Sequence, residues 1–74
     1  MSEVLVIWVI YERPRDYPNS YVVRPQAMVD GMLIASQECV VAPTLEAARA
    51  ALPHGLTMIP RFENDDPAIV ETWI

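Results

Sequence analysis

The sequence predicts an α+β domain: a single mixed β-sheet of about four strands with one helix packed on one face. Three observations lead there. Residues 4–11, VLVIWVIY, form an unbroken run of β-branched, aliphatic and aromatic side chains. Asp30-Gly31 separates two apolar segments, which is the strongest short-range hairpin signal. The helix-forming composition is concentrated at residues 45–52, LEAARAAL.

The 74 residues allow one domain, 1–74, because a second core would fall below the roughly 40 residues at which chains need staples. A hydrophobic content of 53% with a mean hydropathy of +0.19 provides enough apolar surface to offset the chain entropy of folding.

In chain order, strand 1 covers residues 4–11. Its apolar residues occupy both the even set (Val4, Val6, Trp8, Ile10) and the odd set (Leu5, Ile7, Val9, Tyr11), so both faces should leave water and the strand should be central. Residues 12–20 form a loop, in which Pro14 and Pro18 fix φ and push their predecessors to extended backbone. Strand 2 is residues 21–29 and strand 3 runs from Met32 towards Ala42. A two-residue type I′ turn at Asp30-Gly31 pairs Val29 with Met32, Ala27 with Ile34, Val23 with Glu38 and Tyr21 with Val40. Pro25 cannot donate to such a ladder, so a break is expected near Arg24-Pro25.

Thr44 is the expected N-cap of a helix over residues 45–52. Leu45, Ala48, Ala51 and Leu52 form its apolar face, with Glu46 and Arg49 towards water. Pro53-His54-Gly55 ends it, Gly55 taking the left-handed conformation. Residues 56–59 are a short extended piece, 61–67 a polar loop and 68–74 the last strand. By parity that strand runs parallel to strand 1 and lies beside it, giving the order 3-2-1-4.

Composition also bears on function. Five basic residues, all Arg, against ten acidic ones give −5, so a phosphate-backbone binder is not expected. No RNP-like pattern accompanies the aromatics Trp8, Tyr11, Tyr17, Tyr21 and Trp73, so no nucleic-acid partner is expected. The apolar run at the N-terminus is shorter than the roughly 20 residues of a membrane span, and no basic segment precedes it, so no membrane association and a cytoplasmic location are expected. One Cys and one His cannot assemble a His/Cys zinc site, and Asp65-Asp66 with Glu63 and Asn64 lacks the spacing of a calcium loop, so no metal is expected. Two glycines do not make a phosphate-cradling loop, and no other cofactor is expected. Cys39 among valines reads as a buried inert thiol. No catalytic residues are assigned, and the chain is read as non-enzymatic.

Arg13, Arg15 and Arg24 surround one loop and one strand, and Arg forks onto carboxylates and phosphates. One reading is a site for a small anionic ligand. The reading that loop charges more often satisfy is internal pairing with Glu12, Asp16 or Asp65-Asp66, and Arg61 reads the same way.

The segments YERPRDYP at residues 11–18, TLE at 44–46 with Arg49, and DDPAIVETWI at 65–74 resemble a group of short proteins of phages, prophages and their bacterial hosts. The resemblance spans nearly the whole chain and implies a phage or bacterial origin, with no activity attached.

Self-association follows from counting faces. A helix of eight residues is about 12 Å long and covers only part of one side of a sheet whose strands lie about 4.8 Å apart. An apolar face would stay open, and monomers seldom leave one in water. The expectation is a homodimeric interaction protein, an unknown protein partner being the other possibility. If the helix covers the odd set, Trp8, Arg24, Gln26, Met28 and Leu33 lie in or beside the contact. Within one chain, the loop at 12–20 or the segment 56–62 would be the alternative cover.

Overall fold

The computed structural model describes residues 4–35, 38–59 and 67–74; of their side chains, those of Val4, Leu33 and Ala35 are not described. The chain forms β1 (Val4–Glu12), β2 (Tyr21–Val29), β3 (Met32–Ala35), β4 (Val40–Ala42), α1 (Leu45–Ala50), β5 (Met58–Ile59) and β6 (Ile69–Trp73). One antiparallel sheet runs β3-β2-β1-β6-β5, with β4 also paired to β2.

The central position of β1 follows from its composition. Val9 and Ile10 point to opposite faces, and both are buried. The β1–β2 ladder runs without interruption from Val4↔Val29 to Glu12↔Tyr21.

The hairpin register is the expected one from Val29↔Met32 to Gln26↔Ala35, and Asp30 and Gly31 both adopt positive φ, +50° and +79°. The break opposite Pro25 is also present. Beyond it Val23 faces Val40 and Tyr21 faces Ala42, so the third strand is split into β3 and β4 and its register moves by two residues. The ladder to β1 passes through Trp8↔Pro25 intact, and the register shift towards the third strand falls between Gln26 and Val23, where Pro25 has no N–H to donate. A two-residue shift preserves side-chain alternation, so the faces of Tyr21, Val22 and Val23 do not reverse.

The sheet is antiparallel, and not the mixed four-stranded order 3-2-1-4. The last strand does lie beside β1, but antiparallel, with Trp8↔Trp73 and Ile10↔Glu71. The extended piece at 58–59 pairs with β6 as a further strand, and this extra reversal inverts the parity. A bulge between Ile10 and Tyr11 shifts the register so that Tyr11 faces Ile69.

The helix is shorter than expected, ending at Ala50 with Ala51 as C-cap, while Thr44 Oγ1 accepts from the Ala47 N–H at 3.1 Å. Leu52 still packs, and Gly55 takes φ +86°. Ala48 and Leu45 lie against Ile10, Val23 and Ala42, joined by Trp8, Tyr21 and Trp73. The helix therefore covers the even set of β1, and covers only its Trp8–Ile10 part.

Candidate functional site

The face opposite the helix is covered by a polar network. Val9 and Val22 are buried there beneath Tyr11, Arg24 and Gln26, which occupy the odd positions of β1 and the even positions of β2. Gln26, itself buried, donates from Nε2 to Tyr11 Oη at 2.9 Å. The Arg24 guanidinium lies 5.8 Å from the centre of the Tyr11 ring and pairs with Asp16 at 3.1 Å. Asp16 belongs to the loop at 13–20, so that loop leans over this face, the within-chain cover that was one of the two alternatives. It is held at its base by Arg13 N–H to Ser20 C=O at 2.9 Å.

That arrangement brings the three candidate arginines together. Arg13, Arg15 and Arg24 line one cleft of about 640 Å³ with Tyr11, Pro14, Pro67 and Ala68. Internal pairing accounts for Arg24 through Asp16, which with Cys39 holds the guanidinium charged. Arg24 Nε is buried and has no hydrogen-bond partner among the described residues. Arg13 and Arg15 are exposed and make no ion pair among the described residues. Arg13 also holds φ +49°, which a non-glycine residue adopts only at a cost. The expected pairing with Asp65-Asp66, the place of Arg61 and the question of a cation at that loop lie outside the described residues. Elsewhere, no group of three potential metal ligands occurs among the described residues.

The five residues expected at a dimer contact do not share a surface. Trp8 packs against the helix-side core, whereas Arg24, Gln26 and Met28 occupy the other face because Val9↔Arg24, Ile7↔Gln26 and Leu5↔Met28 are cross-strand pairs. Leu33 is opposite Met28 in the ladder, and its side chain lies outside the described ones. Of the four, Met28 is exposed, while Gln26 is buried in its own network.

Exposed apolar side chains include Val40, Val41, Met58 and Ile74, and one group lies together at the far end of the β1–β2–β3 layer, beyond the reach of α1. On the helix side that end carries Val6, Ile34 (52% exposed) and Met32 (68%); on the other side, Leu5 and Met28. A groove of about 550 Å³ is lined by Trp8, Pro25, Glu38, Cys39 and Val40. Cys39 is half-buried in that groove, with Arg24 beside it, which differs from the fully buried thiol expected among valines.

One cluster was not foreseen. Glu71, 7% exposed, accepts from Arg49 Nε on both oxygens at 3.0 and 3.2 Å, from Arg49 Nη2, and from Trp73 Nε1 at 3.1 Å. Arg49 is exposed, as expected, but it lies one turn beyond Leu45, so its guanidinium reaches Glu71, which shares a sheet face with Trp73 by the two-residue period of a strand. Those two periodicities were the available signal. The guanidinium holds the Glu71 carboxyl below its ordinary value, against burial, which pushes it up, and with further help from the indole N–H. No described helix is long and apolar enough to cross a membrane.

No protein-family model matches the chain, and no curated protein or solved structure matches it.

Proposed function

We propose that this protein, of phage or bacterial origin, acts as a homodimeric interaction module without catalytic activity, the second copy docking on the uncovered end of the helix-side sheet face. The carrying observation is the patch formed by Val6, Met32 and Ile34, left open because a six-residue helix stops short of it. Cross-strand pairing sets Val6 beside Ala27 and Ala27 beside Ile34, so the patch is contiguous across three strands.

Size supports the same occupant: a chain of 74 residues gains little stability from its own core, and burying this end against a second copy would add to it. A two-fold axis would cover the patch with itself, which is the commonest closed assembly.

Sedimentation equilibrium at tens of micromolar tests this. The wild-type chain should run as a dimer and Met32→Lys/Ile34→Lys as a folded monomer, since substitutions at exposed positions change stability little. A wild-type chain that stays monomeric would overturn the reading.

A further inference from the structure

We propose that the cleft of Arg13, Arg15 and Arg24 is a binding site for a phosphate monoester carried on a small apolar body. The inference goes beyond the dimer reading and is independent of it, because this cleft lies on the face opposite the Val6–Ile34 patch.

Charge is the first argument. The chain carries −5 overall, yet three of its five arginines line one cleft, and none of the described residues that line it is acidic. Arg24 is matched by Asp16, which leaves Arg13 and Arg15 as two guanidiniums with no ion pair among the described residues. Two guanidiniums without an ion pair among the described residues suit a dianion, and a phosphate monoester carries about −1.5 to −2 at neutral pH with three acceptor oxygens for bidentate forks. The remaining walls, Tyr11, Pro14, Pro67 and Ala68, offer apolar and aromatic surface to the body that bears the phosphate.

Backbone geometry is the second argument. Arg13 sits at φ +49° in a loop where glycine would serve without strain. Non-glycine residues in that region cluster where the surrounding structure has a use for the side chain they orient. Here the turn is tied by Arg13 N–H to Ser20 C=O and by Tyr17 N–H to Pro14 C=O at 3.0 Å, and the Asp16–Arg24 pair fastens it to the sheet. The loop backbone thus places Arg13 and Arg15 at the cleft they share with Tyr11 before any ligand arrives, which lowers the ordering cost of binding.

Thermal melts of the full chain with phenyl phosphate, inorganic phosphate, succinate and sodium chloride at matched ionic strength test the site. Phenyl phosphate should raise the melting temperature with a saturating dependence, more than inorganic phosphate does. In Arg13→Gln/Arg15→Gln, whose unliganded melting temperature should equal the wild-type value, the apparent affinity should fall at least about tenfold, as expected for lost charge-assisted hydrogen bonds. If the double variant does not fold, Arg15→Gln alone should show a smaller loss in the same direction. No saturating shift at millimolar ligand overturns the site. So does an equal shift in the double variant or with sodium chloride, and an equal effect of succinate overturns the phosphate assignment. Binding that appears only in Asp65→Asn/Asp66→Asn would mean that the chain's own acids fill the cleft, which also overturns it.

Discussion

Gly31 is the residue whose role is most sharply defined. At φ +79° it has open space around the position of an added Cβ, so a side chain there would meet no neighbour and its cost would be purely conformational. Gly31→Val should therefore lower stability by about 1 kcal/mol or more, because a β-branched residue at positive φ is strained, while Gly31→Asn should cost much less. Urea midpoints of the two variants check this, and equal midpoints for Val and wild type would remove the type I′ turn. Glu71 makes a different kind of statement at the same scale. Its folded pKa is depressed by Arg49, so the stability it contributes is present above the ordinary carboxylate value of 4.5 and is lost as pH falls through the folded value. Glu71→Gln should be less stable than wild type at neutral pH and should lose less stability on acidification below 4.5. A series of denaturant midpoints against pH reads both slopes, and parallel curves would show that Glu71 does not govern this limb.

Helix α1 shows what a six-residue element can and cannot supply. In isolation it would be far below the length at which a helix is stable in water, so it persists through packing of Leu45 and Ala48 on the sheet and through its cap. Thr44 Oγ1 satisfies the Ala47 N–H, and Thr44→Ala should cost about 1 kcal/mol, measured by urea unfolding. A cost near zero would show that packing alone holds the first turn. The split of the third strand into β3 and β4 is the counterpart in the sheet. Pro25 has no N–H to donate, and the register moves by two residues between Gln26↔Ala35 and Val23↔Val40. The groove beside Trp8 and the half-buried Cys39 lie next to that shift.

For the whole molecule, the two faces of the sheet are covered by different means. A loop and the Tyr11–Gln26–Arg24 network cover part of one face, and a short helix covers part of the other. What remains on the helix side is an apolar end that exposes Val6, Met32 and Ile34. A chain of 74 residues gains little stability from its own core, so association that buries this end would make the melting temperature rise with protein concentration. That dependence should vanish in Met32→Lys/Ile34→Lys, the same variant that should sediment as a monomer.

The elements with local causes were legible in the sequence by itself: the central apolar strand, the Asp30-Gly31 hairpin with its first register, the break at Pro25 and the Thr44 cap each follow from the preferences of a few neighbouring residues. The arginine grouping was legible too, because Arg13 and Arg15 are close in sequence and a short loop returns to the strand bearing Arg24. Tertiary structure alone decided the rest. Whether Val23 meets Glu38 or Val40 depends on how many residues the edge strand spends around Pro25, and the direction of β6 depends on whether two residues at 58–59 pair, a marginal choice settled by contact with Trp73 and Thr72. The helix side of the sheet was not determined locally, because β1 is apolar on both sides; it was decided by where Glu71 and Trp73 could meet Arg49 and where a proline-rich loop could bring Asp16 to Arg24. These are long-range pairings between groups that are each satisfied by water in the unfolded chain, so no local pattern announces them.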